Sequence, residues 1–338
     1  MSLPAFEQFS VTARDGTRLA CQRYGRGPLR VVVANGIGGT LLAWVPLLRA
    51  LEDRCTFVSW DYRGLYGSDA PRDPARVRIV DNASDLAVVM EAAGFADAAV
   101  FGWSLGVQVA IQAAADLRER VTALVLVNGT FGRIFETAFQ LIPGGGSERG
   151  GVRGQLSRVS GRVLPVLNRA VGRLGPFLNP VVGLAVKQPW ITQALEQLRL
   201  VDKNLDREVF TAIARDLATL DFALYHRMLG EANEHDGEPL LGGIRVPILM
   251  ITGERDLMTP HSVTEVVERR APQTETLMVP RGTHYSLIEY PEVVVPRVSS
   301  FLERHLERPQ REAAPAQEAA VVPGPSGVKR SRRRAAAG

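Results

Sequence analysis

Three stretches of this chain hold residues whose types and order suit covalent catalysis: Gly102-Trp103-Ser104-Leu105-Gly106, Gly253-Glu254-Arg255-Asp256 and Gly282-Thr283-His284. A serine hydroxyl is a poor nucleophile at neutral pH. It needs a base to take its proton and a third group to orient that base. Ser104 follows the apolar run Ala98 to Phe101 and precedes the helix-forming run Val107 to Leu117. This context reads as a nucleophile elbow, a sharp strand-to-helix turn that exposes the hydroxyl. Strand and helix crowd the positions two before and two after the serine, so only very small residues fit at 102 and 106. The hydroxyl then lies beside a helix N-terminus, where free backbone N–H groups can meet a negative oxygen.

His284 is the expected base, in a loop after the strand-like run Thr276 to Val279. The other histidines are placed less well: His226 and His235 lie in a helical insertion, His261 starts a helix, and His305 sits on a charged background. Asp256 is the expected acid, after the apolar run Val246 to Thr252, with Glu254 as the alternative. Asn128, at the end of the preceding strand, stands where a relocated acid would sit, but it carries no charge. A tetrahedral intermediate needs two N–H donors. Leu105 is expected to supply one and Ile37 the other, from the loop Asn35-Gly36-Ile37-Gly38-Gly39, whose glycines would otherwise serve only as a tight turn. Gly36 and Trp103, beside these donors, are expected to contact substrate.

The elements that must position these residues are legible as alternating strands and helices. Phe6 to Ala13 and Thr17 to Tyr24 flank Asp15-Gly16 and read as a hairpin. Arg30 to Ala34, Cys55 to Trp60, Ala98 to Phe101, Val121 to Val127, Val246 to Thr252 and Thr276 to Val279 are short apolar runs, as expected for strands covered on both faces. Helices are expected at Ala83 to Ala93, capped by Asp81 or Asn82, at Val263 to Arg270 and at Val293 to Glu307. The pattern predicts an α/β fold with a doubly wound, mostly parallel sheet. Both acid and histidine loops then fall at the C-terminal edge of that sheet, where open α/β folds place their sites. Residues 1–130 and 244–308 are expected to form this core. Residues 131–243, where the alternation stops, are expected to form an inserted helical cap with a glycine-rich break at Pro143 to Gly154.

The chain has 338 residues, of which 46% are hydrophobic, enough to bury a sizeable core. Its net charge of +4 comes from the end of the chain, where Arg311, Lys329, Arg330, Arg332, Arg333 and Arg334 face only Glu312 and Glu318. The body is formally neutral, which argues against a nucleic-acid-binding domain. Residues 309–338, rich in Ala, Pro, Glu and Gln and then basic, are expected to be disordered. Cys21 and Cys55 offer neither a disulfide framework nor metal-ligand spacing and are expected in strands as small apolar residues. Nothing near Met1 reads as a signal peptide and no apolar run is long enough to span a bilayer, so the cytoplasm is the default compartment. One segment qualifies this: Arg158, Arg162, Arg169 and Arg173 share one side of a helical wheel, and Leu156, Val159, Val163, Val166, Leu167, Ala170 and Leu174 share the other. The favoured reading is a lid helix with its apolar side on the core. Peripheral contact with an anionic membrane is the alternative. Pro165 argues for a kink or two short helices.

On these motifs the chain, from about Phe6 to Glu307, resembles the α/β-hydrolase superfamily in its capped serine-hydrolase branch, esterase- and lipase-like. The run Asp61-Tyr62-Arg63-Gly64-Leu65-Tyr66-Gly67-Ser68 is similar to that family's loop after its fourth strand, whose aspartate and arginine are structural. One departure is Asn35, where the family's oxyanion loop has histidine. The resemblance implies a hydrolase working without metal or cofactor on a small-molecule ester or lipid through an acyl-enzyme. Ser104 argues against the dehalogenase and epoxide-hydrolase branches, which use an aspartate nucleophile. Acyl transfer, carbon–carbon bond hydrolysis, perhydrolysis and a non-catalytic receptor that kept the pocket remain alternatives on the same residues. Oligomeric state has no signature in the sequence.

Overall fold

A computed structural model describes residues 3–137, 164–173 and 189–307. Its framework is a sheet of eight strands: β1 (Glu7–Thr12), β2 (Arg18–Tyr24), β3 (Leu29–Ala34), β4 (Cys55–Trp60), β5 (Ala98–Trp103), β6 (Val121–Val127), β7 (Ile248–Gly253) and β8 (Thr274–Val279). Their spatial order is β1-β2-β4-β3-β5-β6-β7-β8. β1 pairs with β2, and β2 with β4, antiparallel, and every other neighbouring pair is parallel. The expected doubly wound, mostly parallel sheet is therefore what forms. The chain goes from β3 outward to β4 and then crosses back to β5 on the other side of β3. This places a topological switch point between the C-terminal ends of β3 and β5.

The central strands are apolar on both sides because both sides are covered. Along β5, Ala98 and Val100 join one core while Ala99, Phe101 and Trp103 join the other, and β3 and β6 divide the same way. Strand alternation with period two accounts for the division. The first core receives α1 (Ile79–Ala92) and α2 (Leu105–Asp116); the second receives the helices Val45–Leu51 and Pro291–Leu302. Cys21 and Cys55 are buried in β2 and β4, and burial pushes both thiols up to about 12.

Three sequence expectations need correction or limits. α1 begins at Ile79, not Ala83. Asp81 is its third residue and accepts from the backbone N–H and guanidinium of Arg78 in a capping box, rather than being the cap itself. The described helix 164–173 buries Asn168 and Gly172 and leaves Val166 and Leu167 exposed, so the apolar side named above is not the one turned inward. Asn168 decides this orientation by bonding across to His226, its amide donating to the His226 carbonyl at 2.7 Å. Pro165 is itself helical among the described residues. Arg158 and Arg162, the glycine-rich break and the basic tail lie outside the described residues. The described residues between β6 and β7 are mainly helical, at Ile134–Thr137, 164–173, Pro189–Gln197, Arg207–Leu217, Phe222–Glu234 and Glu238–Leu241. Val201, Leu205, Phe210 and Ile213 of this stretch join the second core. No helix among the described residues is long and apolar enough to cross a membrane.

Candidate active site

Ser104 leaves β5 with φ 56° and ψ −117°, a backbone conformation that side chains with a Cβ rarely adopt. The turn is held by the Ser104 N–H, which donates to the Val127 carbonyl at 3.0 Å. The flanking glycines are there for space. A Cβ on Gly102 would stand 2.5 Å from the Gly106 carbonyl oxygen, and one on Gly106 would overlap the Ala34 carbonyl. Any larger residue at either position forces β3, β5 and α2 apart.

The imidazole of His284 meets this hydroxyl. Its Nε2 is 2.9 Å from Ser104 Oγ, and its Nδ1 is 3.0 Å from Asp256 Oδ2. The three residues are thus joined in one hydrogen-bonded line from loops that follow three different strands. His284 and Asp256 are buried, at 7% and 5% exposure. Asp256 is itself oriented: its Oδ1 accepts from the N–H groups of Met258 at 2.8 Å and Thr259 at 3.1 Å, and the Thr259 hydroxyl donates to Oδ2. Glu254, the alternative acid, points elsewhere; it is exposed and accepts from the Arg281 N–H at 2.7 Å.

Leu105 is the first residue of α2, so its N–H has no partner within the helix. The loop after β3 packs directly on the nucleophile: a Cβ on Gly36 would be 3.1 Å from Ser104 Cβ. That loop closes as a turn, Gly39 N–H to Gly36 carbonyl at 2.9 Å, with Ile37 half-buried at its tip. Asn35 supplies its hydrogen bonding where the resemblance has histidine. Its amide donates to Ser59 Oγ at 2.9 Å and accepts from the Trp44 indole at 3.1 Å, while its carbonyl takes the Tyr62 hydroxyl at 2.7 Å. Trp103 is turned into the second core by the alternation of β5. Its indole N–H donates to the His284 carbonyl at 3.1 Å, so it props the histidine segment and lines neither cavity described below.

Two further side chains hold the loops together, and sequence reasoning did not identify their work. Asn128 has φ 45° and no exposure. Its amide donates to the Thr283 carbonyl at 2.7 Å and Ser286 Oγ at 2.8 Å, and its oxygen accepts from the Gly253 N–H at 3.1 Å. One residue thus ties the loop bearing Asp256 to the loop bearing His284. Glu289, 2% exposed, accepts from the Thr283 N–H at 2.8 Å, the Thr283 hydroxyl at 2.6 Å and the Asp202 N–H at 2.8 Å. Burial raises its carboxyl above the ordinary range in spite of these donors. A positive φ outside glycine was the only local hint available for Asn128, and it is invisible without coordinates.

Three of the other histidines have other partners. His226 bonds Asn168, His235 lies between Gln108 and Gln112, and His305 pairs with Glu275. Asp61 and Arg63 are structural as expected. Asp61 accepts from the Gly67 N–H at 3.0 Å, and Arg63 forms a two-pronged bond to buried Asp85 at 2.6 and 2.7 Å and a further one to Asp15. Among the described residues no cluster of three or more His, Cys, Asp or Glu side chains is arranged to hold a metal ion.

A cavity of about 180 Å³ opens beside His284 and Asp256, walled by Leu195, Phe210, Leu257, Met258 and Tyr285. An apolar group of modest size fits such walls, and the hydrogen-bonded line at its edge could activate a hydroxyl toward an electrophilic carbon.

Comparison with known proteins bears on the fold that carries this arrangement. Residues 30–155 match a family model described as the alpha/beta hydrolase fold, and residues 225–314 match one described as TAP-like protein. A Klebsiella pneumoniae protein named "Putative carbamate hydrolase RutD" is 27% identical over 260 residues, 75% of this chain and 84% of that protein. A Caulobacter vibrioides protein of the same name is 34% identical over 124 residues, and the match spans only 46% of its length and 35% of this chain. Among solved structures, an enol-lactonase from Burkholderia xenovorans superposes with TM-score 0.64 at 20% identity, covering 87% of this chain and 99% of that one. A thermophilic esterase from Thermogutta terrifontis gives 0.64 at 20% identity, covering 89% and 100%. At such identities these structures speak to the fold alone.

Proposed function

The chain belongs to the α/β-hydrolase superfamily, and from that premise we propose that it is a serine hydrolase cleaving small carboxylic esters. The observation that carries this reading is the continuous line from Ser104 Oγ through His284 to Asp256. His284 Nε2 takes the proton as Ser104 Oγ attacks the ester carbonyl, and Asp256 holds the Nδ1–H tautomer and stabilises the imidazolium. The oxygen that becomes negative is received by the N–H groups of Leu105 and Ile37. His284 then returns the proton to the leaving alcohol, and water, deprotonated by the same imidazole, releases the acid from the acyl-enzyme. The described helices between β6 and β7 act as a lid, and Leu195 and Phe210 from them form part of the apolar wall. The walls beside His284 suit a lipophilic acyl or alcohol group.

The test is labelling with a fluorophosphonate probe. Wild-type protein should label and Ser104→Ala should not; label that persists in the variant rejects the nucleophile. Asp256→Asn should slow turnover of short p-nitrophenyl esters by about four orders of magnitude, through the wrong imidazole tautomer. A nearly unchanged rate would remove Asp256 from the mechanism. A second reading, cleavage of a carbamate, rests on the name its Klebsiella and Caulobacter relatives carry. Parallel rates on a matched ester and carbamate separate the two.

A further inference from the structure

Beside the apolar cavity lies a second of about 350 Å³, and the two share Arg199, Val201, Arg255 and Thr283 in their walls. The second is lined by four cations, Arg199, Lys203, Arg255 and Arg281, against Glu196 and Asp202. The two carboxylates do not neutralise the set. Glu196 is engaged by Arg207 at 2.7 Å. Asp202, itself 8% exposed, reaches Arg281 at 3.3 Å and Arg255 at 3.9 Å. Burial works against the Asp202 charge, yet Tyr290, the Asn204 N–H and Arg281 hold its carboxyl below the usual range. Arg199 and Lys203 are exposed and have no ion-pair partner among the described residues.

The backbone carries a second, independent signal. Arg199 has φ 58° and Arg281 φ 60°, two of the six non-glycine residues with positive φ among those described. Arg199 closes the helix Pro189–Gln197 in a Schellman motif, with its own N–H on the Glu196 carbonyl at 3.0 Å and the Leu200 N–H on the Leu195 carbonyl at 2.9 Å. Glycine is the least strained residue at that position. Two arginines held where glycine would be easier, and both facing one cavity, are strain retained at a site of use.

We propose that this basic cavity binds an oxyanion at the far end of the substrate, so that the preferred ester carries a carboxylate or phosphate group beyond the apolar segment seated beside His284. Paired guanidinium groups match either oxyanion in a two-pronged geometry. Asp202 fixes Arg255 and Arg281, while Arg199 and Lys203 supply the uncompensated charge. This deepens the ester-hydrolase reading and rests on it for the reaction, though not for the binding.

The test compares the p-nitrophenyl ester of suberic acid, its other end free, with the same ester capped by methyl, and with a phosphate-ended ester of similar length. Wild-type kcat/KM should favour an anionic member by about tenfold or more, the size expected for one charged hydrogen bond. The better of the carboxylate and phosphate arms identifies the source. Lys203→Gln, which lines the basic cavity alone, should bring the preference toward one and leave the rate on the capped ester in place, and Arg199→Gly, which also borders the apolar cavity, should lower the preference as well. Arg199→Gly should melt no lower than wild type, since it relieves the left-handed backbone. Rates on both anionic esters no higher than on the capped one, or a Lys203→Gln variant that slows anionic and capped esters alike, overturn the proposal. Calorimetric titration of Ser104→Ala with monomethyl suberate and dimethyl suberate reads the site without turnover. Preference for the anion, lost on adding Arg199→Gly, upholds it even if no ester is hydrolysed, a result that would fail the hydrolase reading instead. No preference in this titration overturns the anion site itself.

Discussion

Asn128→Asp exchanges an amide NH₂ for an oxygen at a position with no solvent exposure, so its effect can be worked from the contacts. Asparagine and aspartate both tolerate the left-handed backbone found there, at φ 45°, so the backbone contribution is close to neutral. The Gly253 N–H still donates to the new side chain, and the Ser286 hydroxyl can turn to donate as well. The Thr283 carbonyl cannot; at 2.7 Å it would face a carboxylate. Full burial raises a carboxyl pKa by up to about 3–5, and two donors offset part of that, leaving it about 2 above its ordinary value. At 1.36 kcal/mol per unit the variant loses about 3 kcal/mol at neutral pH. The sign follows from linkage. The folded pKa is raised, so the protonated acid, which can donate to Thr283, restores the wild-type pattern below about pH 4. The deficit grows as pH rises from about 4 to about 6 and stays constant above. Urea denaturation of wild type and variant at pH 4 and pH 7.5 gives the difference directly, and fluorophosphonate labelling at pH 7.5 should slow because Thr283 precedes His284. A stability difference that does not change with pH, or a labelling rate equal to wild type at pH 7.5, refutes the reasoning that Asn128 joins the two loops.

Two further outcomes are expected elsewhere in the fold. Burial pushes the Asp61 carboxyl up to about 6, against the Gly67 N–H and with help from Asp216. Native protein therefore binds more protons than unfolded chain between about pH 4 and 6, and stability falls by about 3 kcal/mol across that window; Asp61→Asn should gain on wild type by that amount between pH 4 and 7, and parallel pH profiles would refute it. Arg63→Met leaves Asp85, 1% exposed, without its partner and should cost about 3–5 kcal/mol in denaturant melts. A loss under about 1 kcal/mol would show that the pair is not a structural necessity.

Much of this molecule is written in neighbouring residues. β4 and β6 occupy the ranges that their apolar runs mark, because a parallel strand covered on both sides needs an uninterrupted run and little else resembles one. Ser104 between two glycines, and aspartate and histidine in loops after later strands, follow from the same local grammar. Such signals survive in a linear chain because strand period, turn chemistry and helix ends are settled within a few residues. Where local signals compete they mislead: Asp81 looks like a cap and is instead the third residue of its helix.

The tertiary structure alone decided what those residues touch. Asn128 reaches across 125 residues to Gly253 and 155 to Thr283, and no spacing in the sequence announces either bond. The inward face of helix 164–173 is chosen by Asn168 meeting His226, not by the apolar stripe. Trp103 is drawn under His284 by the alternation of β5, and Arg199, Lys203, Arg255 and Arg281 become one cavity wall only when the segment before β7 folds over the sheet's edge. The physical reason is the same in each case. A hydrogen bond or a shared cavity depends on distance in space, and chain order determines that distance only for residues a few positions apart.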